Sequence, residues 1–173
     1  PVAWYLDDND LVVDARSEIL ADALIADVTG GQPRERCLRI RYRLPVALKG
    51  WTWSSDPTVS ETIAGNSRHG NGFGLAGHQV SRYPVASVSR GPVGLAMGVP
   101  LDQPALQTFG AAADGMTTVV DLALSLHAPR ARGRFTFCLY RHDPAWTFRA
   151  ALERYYALFP DLFARATSRG GAW

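Results

Sequence analysis

The chain has 173 residues, of which 47% are hydrophobic, 20% charged and 10% aromatic, a composition that excludes an intrinsically disordered chain. Its formal net charge is only +2, with Lys49 the sole lysine among arginines, which excludes the large basic excess of a nucleic-acid binder. A chain this long withdraws roughly 70% of its unfolded surface from water, so one domain is the default and Cys37 and Cys138, too few for a Cys-rich zinc module, are not required as a framework.

Residues 2–6 and 11–15 flank Asp7-Asp8-Asn9-Asp10 and read as a hairpin, because Asp and Asn favour tight turns by bonding their own backbone. A calcium loop is the poorer reading, since the glycine and glutamate of the EF-hand spacing are missing. Residues 36–46 are the clearest strand. Leu38, Ile40, Tyr42 and Leu44 alternate with Arg39, Arg41 and Arg43, a period of two with one apolar face and one solvated cationic face that discourages edge pairing. Residues 85–89 and 94–99 flank Arg90-Gly91-Pro92-Val93, a turn by Gly/Pro chemistry, and form a second hairpin. Residues 118–126 place Val120, Leu122, Leu124 and Leu126 on one face; residues 134–140 place Phe135, Phe137 and Leu139 on one face. The two segments are expected to be antiparallel neighbours. Strands separated by turns, without intervening helices, predict a mostly β protein, an antiparallel β-sandwich over residues 1–142.

The helix comes last. Asp143-Pro144 is a good start: Asp accepts from first-turn amides and Pro at the first position sacrifices no hydrogen bond. Phe148, Leu152, Tyr155, Tyr156 and Phe159 then build one apolar stripe, ended by Pro160. Such a helix must lie on a sheet or on a neighbouring domain. The aromatic area of Trp146, Tyr155, Tyr156 and Phe159 favours the neighbour, making residues 143–173 an amphipathic linker and these four residues its interdomain contacts. Residue 1 is Pro, no targeting pattern precedes the first strand, and the end at Trp173 also reads as a cut; a piece of a longer polypeptide is expected. No stretch approaches about 18 uninterrupted apolar residues, so no membrane span is predicted.

Few segments carry chemistry. Gly72-Phe73-Gly74-Leu75-Ala76-Gly77 has the letters of the dinucleotide fingerprint, but no strand-to-helix context surrounds it, and a Gly-rich loop is expected instead. His69, His78, His127 and His142 are scattered, with no metal-binding spacing. No Gly-x-Ser-x-Gly elbow exists, and both cysteines fall in strands rather than at a helix N-terminus where a thiolate is stabilised. No cofactor or metal is predicted. Asp56 and Glu61 follow Gly50-Trp51-Thr52-Trp53-Ser54-Ser55. Glycoside hydrolysis needs two carboxylates about 5 to 10 Å apart, and a tryptophan face suits a pyranose whose hydroxyls nearby polar groups bind. Trp51, Trp53, Asp56 and His69 are therefore the candidate carbohydrate-binding residues. Large aromatics are usually buried, so at least one tryptophan is expected to fill the core.

The series Gly50-Trp51-Thr52-Trp53, Ser81-Arg82-Tyr83-Pro84, Gly94-Leu95-Ala96 with Val99-Pro100, Asp143-Pro144-Ala145-Trp146-Thr147-Phe148-Arg149-Ala150-Ala151 and Tyr155-Tyr156-Ala157-Leu158-Phe159-Pro160 resembles the N-terminal, supersandwich-like β-sandwich region of large bacterial glycoside hydrolases. The resemblance covers most of residues 36–173, with the helix its most specific part. It implies a non-catalytic accessory domain leading through a linker helix into a C-terminal (β/α)8 barrel that carries the catalytic acids, with a poly- or oligosaccharide as the shared ligand. No catalytic residue is carried over. Two rivals stand beside it: a free-standing lectin-like module, and a sandwich polysaccharide lyase for which His69, Tyr83 and Arg82 are available.

Overall fold

A computed structural model describes residues 12–20, 23–31, 35–75, 78–102, 106–125, 127 and 132–164. Its strands are β1 (Val12–Leu20), β2 (Ala23–Gly31), β3 (Arg36–Leu44), β4 (Thr52–Ser54), β5 (Glu61–Thr62), β6 (Arg68–Gly70), β7 (Gly72–Leu75) and β8 (His78–Ser81). There follow β9 (Val85–Arg90), β10 (Val93–Gly98), β11 (Leu106–Ala112), β12 (Gly115–Leu124) and β13 (Arg132–His142). A 3-10 turn (Pro144–Trp146), helix α1 (Thr147–Leu158) and a second 3-10 turn (Pro160–Phe163) close the described chain.

All pairings are antiparallel. A seven-stranded sheet has the order β1-β2-β13-β10-β9-β4-β5, a four-stranded sheet the order β3-β12-β11-β6, and β7 pairs with β8. The two larger sheets face each other across one core. Trp53, Val88, Met97, Phe135 and Phe137 enter it from the seven-stranded side, and Phe109, Met116 and Val120 from the other. The Tyr42 and Phe137 rings meet across the gap with centroids 4.1 Å apart, as side chains of the two inner faces of a sandwich do. On β3 the alternation is as the sequence has it, with Ile40, Tyr42 and Leu44 turned inward and Arg39, Arg41 and Arg43 exposed.

The seven-stranded sheet is covered on its outer face as well. Val85, Ala96, Cys138 and Tyr140 point outward and pack against Phe148, Ala151, Tyr155 and Leu158 of α1. Tyr140 Oη donates to the Ala151 carbonyl at 2.8 Å, and Tyr155 Oη donates to the Val99 carbonyl at 2.8 Å. Along β13, Phe135 and Phe137 go to one core while Cys138 and Tyr140 go to the other. A strand buried on both faces reads as a near-continuous apolar run rather than an alternation. The helix starts where the sequence placed it: Asp143 Oδ1 accepts from Ala145 N at 2.9 Å and Pro144 opens the 3-10 turn. Its main stripe, however, lies on the chain's own sheet rather than facing away from it.

Two expectations are corrected. Strands β12 and β13 are not neighbours: β12 pairs with β3 and β11, β13 with β2 and β10, so the two belong to different sheets. Strand β1 pairs with β2 in full register, Val12 opposite Gly31 through Leu20 opposite Ala23; the expected hairpin of residues 2–6 with 11–15 around Asp7–Asp10 falls outside the described residues. The Gly-rich stretch forms β7 and β8 rather than a loop, with Gly72 opposite Ser81, and no helix follows it. The 85–99 hairpin stands, with Arg90 opposite Val93 and Gly91 at a φ of 55° in the turn.

The outer core sets a pH limit. Burial pushes the Cys138 thiol up to about 12 and raises the Tyr140 and Tyr155 phenols above their ordinary value. Each group is neutral when folded and ionises at its lower, unfolded value once released, so the unfolded chain binds fewer protons above about pH 9. Stability is expected to be fully present below that pH and to fall steadily toward pH 12. A urea-midpoint series from pH 8 to 12 checks this; a flat midpoint would show these groups to be solvated.

Candidate functional site

The segment between β4 and β6 carries most of the predicted site residues. It crosses the open flank of the sandwich, because β5 is the last strand of the seven-stranded sheet and β6 the last of the four-stranded one. The crossing is held by Ile63, fully buried, whose amide donates to the Trp51 carbonyl at 2.8 Å and whose carbonyl accepts from Gly50 N at 2.8 Å. Glu61 on β5 lies opposite Trp53 on β4, and His69 on β6 lies opposite Ala111 on β11.

Trp53 is 1% exposed and belongs to the central core, so it offers no face to a sugar. Its expected alternative role, core packing, is the one it has. Trp51 is half-buried against the same core. Asp56 does not pair with Glu61. Its Oδ1 accepts from Thr58 N at 2.7 Å, Thr58 Oγ1 at 2.7 Å and Val59 N at 2.8 Å, the local turn that Asp makes with its own following backbone. The Thr58 hydroxyl is the main reason that its carboxyl is held below the usual carboxylate range.

His69 is where the chain converges. Its Nδ1 meets Glu61 Oε2 at 2.6 Å and its Nε2 meets Ser67 Oγ at 2.9 Å. The His69 side chain is 10% exposed and the Glu61 side chain 58% exposed. Ser67 closes a four-residue turn, its amide donating to the Ala64 carbonyl at 3.3 Å, while its hydroxyl accepts from Ala64 N at 2.8 Å and donates to Ala64 O at 3.1 Å. Gly65, inside that turn, sits against Lys49: a Cβ at Gly65 would be 3.9 Å from Lys49 Nζ. One flank thus gathers a hydroxyl, an imidazole, a carboxylate and the chain's single ammonium group. Ser67 and Lys49 are site residues that the sequence pattern does not single out. The Ser67-x-His69 spacing, two residues apart at the start of a strand, was the available signal; the partner Glu61 comes from the other sheet.

The second candidate surface is on α1. Of the four predicted interdomain residues, Tyr155 is fully buried on the chain's own sheet and Phe159 is half-buried beside it. Trp146 is 62% exposed and Tyr156 44% exposed; Leu162 and Phe163 are exposed with them, the Tyr156 and Phe163 rings 4.4 Å apart. Elsewhere, a groove of about 730 Å³ between the end of β13 and α1 is lined by Arg141, Asp143, Glu153 and Arg154, a balanced set of charges. Tyr83 packs edge-on against Phe148 at 5.2 Å.

Among the described residues no group of three or more His, Cys, Asp or Glu is placed to hold a metal ion, and no helix is long and apolar enough to cross a membrane. Both cysteines are free thiols, Cys37 exposed on β3 and Cys138 buried on β13. The fold is that of an antiparallel β-sandwich protein with a helix laid on its larger sheet. In comparisons with known proteins, no family model matches the chain and no curated protein matches it, so the resemblance to glycoside hydrolase N-terminal regions rests on the residues quoted for it.

Proposed function

We propose that the chain is a non-catalytic accessory β-sandwich domain of a carbohydrate-active enzyme, acting by protein contact to support a catalytic barrel. The observation that supports this reading is the set of large apolar residues left in water after α1 has filled the outer face of its own sheet: Trp146 at the start of the helix, and Tyr156, Leu162 and Phe163 at its end, where the Tyr156 and Phe163 rings meet. Apolar clusters of this kind on one side of a domain mark contact surfaces, and aromatic residues dominate the energetics of such contacts. Sugar contact is the weaker part of the reading, since Trp53 is inaccessible and only Trp51 has surface to offer.

The test is the double variant Trp146→Ser with Tyr156→Ser, made both in this chain and in the full-length enzyme. Exposed positions cost about 0.5 kcal/mol or less in the isolated chain, whereas the full-length protein is expected to lose about 2 kcal/mol or more from its contact and to melt in two steps. Unaltered cooperative melting of the full-length protein would reject the accessory role. Calorimetric binding of an oligosaccharide by the isolated chain, with full-length behaviour unchanged, would favour the lectin-like rival.

A further inference from the structure

The geometry points to an acyl-ester hydrolase site at the open flank, with Ser67 as nucleophile, His69 as general base, Glu61 as the group that orients it, and Lys49 as the cation beside the developing oxyanion. This site is separate from the accessory role, which concerns protein contact on the opposite, helical side of the seven-stranded sheet.

The connectivity has the polarity that nucleophilic catalysis requires. Glu61 accepts from one imidazole nitrogen at 2.6 Å and the serine hydroxyl reaches the other at 2.9 Å, within the hydrogen-bond reach expected of a nucleophile and base whose base is itself oriented. A carboxylate at Nδ1 fixes the proton there and leaves Nε2 as the acceptor. The Ser67 hydroxyl, with the Ala64 carbonyl at 3.1 Å as its resting acceptor, turns its proton to Nε2, 2.9 Å away, as it attacks, and its contact with the Ala64 amide, in which it accepts, leaves a lone pair for the attack. Two further observations are independent of this chain of bonds. The imidazole is largely shielded while the serine lies on a tight turn that includes exposed Gly65 and Asn66, so an ester can approach the turn from solvent. Lys49 Nζ lies 3.9 Å from the point that a Cβ at Gly65, two residues before Ser67, would occupy, from where its flexible stem can bring the cation to a developing oxyanion.

The reaction balances without a cofactor. Ser67 Oγ attacks the ester carbonyl carbon as its proton passes to His69 Nε2, forming a new C–O bond and an oxyanion near Lys49. Collapse breaks the bond to the alcohol oxygen, which takes the proton from His69. Water then attacks the acyl-serine, giving one proton to His69; the bond to Oγ breaks, Oγ recovers that proton, and a carboxylic acid leaves. The serine turn faces solvent at Gly65 and Asn66, which suits a short, unhindered ester such as an acetyl ester.

The folded chain is treated with a fluorophosphonate, and the adducts are mapped by peptide mass spectrometry; p-nitrophenyl acetate hydrolysis is followed in parallel. Ser67 is expected to be labelled at least about 100-fold faster than exposed Ser60, and His69→Ala to cut that rate by about 100-fold or more. Ser67→Ala should bring ester hydrolysis to the background rate, and Lys49→Met should slow it by about 10-fold or more with labelling sites unchanged. Labelling of Ser67 no faster than Ser60 in the wild-type chain overturns the proposal whatever the variants do, as does undiminished hydrolysis by folded Ser67→Ala. Either failure leaves the helix patch and the accessory role untouched.

Discussion

Replacing Trp53 with alanine is expected to lower the stability of the chain by about 3–5 kcal/mol, the range for deleting a large buried aromatic side chain. The ring is 1% exposed, sits on a short strand between β9 and β5, and packs in the same cluster as Leu48, Ile63, Val88 and Phe135. Such a loss is a large part of the roughly 5–15 kcal/mol that holds a domain together, and for this size it lowers the melting temperature by roughly 6–20 °C. Urea unfolding followed by circular dichroism checks it, with the slope unchanged if the denatured chain is unaffected. A loss under about 1 kcal/mol would mean that the cluster is not close-packed around this ring. The same experiment separates packing from recognition at the Trp51–Trp53 segment: any sugar affinity lost with Trp53→Ala tracks unfolding, while half-buried Trp51 can be changed at lower cost.

The second large effect belongs to Tyr155. Its ring is fully buried between α1 and the outer face of the seven-stranded sheet, its hydroxyl bonds the Val99 carbonyl, and its neighbours include Tyr156, Phe159 and Phe163. Tyr155→Phe removes the donor alone and is expected to cost about 1–3 kcal/mol, the penalty for leaving a buried carbonyl without its partner. Tyr155→Ala removes the ring as well and should cost about 3–5 kcal/mol. Amide exchange gives the sharper reading. With alanine at 155 the α1 amides should open at much lower free energy than those of β9, β10 and β13, since the helix loses its anchor before the sheets lose theirs. Destabilisation under about 0.5 kcal/mol for both variants would show a helix that merely adjoins the domain.

The parts of this fold legible in the sequence are those governed by local rules. Strand β3 shows its two faces in alternating residues, the 85–99 hairpin shows its turn in Gly91-Pro92, and the helix shows its start in Asp143-Pro144 and its end in Pro160. Where a strand is buried on both faces the signal fades: β13 carries apolar residues at Phe135, Phe137, Cys138 and Tyr140 regardless of side, so neither its second core nor its partners could be read from it. The β1–β2 pairing leaves little mark in the sequence because β2, Ala23–Gly31, mixes small residues with Asp27 and Thr29 and has little alternation. The candidate site was visible only in pieces. Trp53 was correctly allowed a core role, but the meeting of Glu61 with His69 depends on the edges of two different sheets coming together, which no spacing in the chain encodes.

That α1 roofs the outer side of the larger sheet has a practical corollary for anyone dissecting the molecule. Val85, Ala96, Cys138 and Tyr140 form an oily plate beneath it, and a polypeptide ending at His142 would leave that plate bare to water. Such a shortened sandwich is a recipe for self-association through its own flat side. The smallest self-contained unit therefore extends at least through Leu158, and the tail that looks like a connector in the sequence is one of the walls of the building.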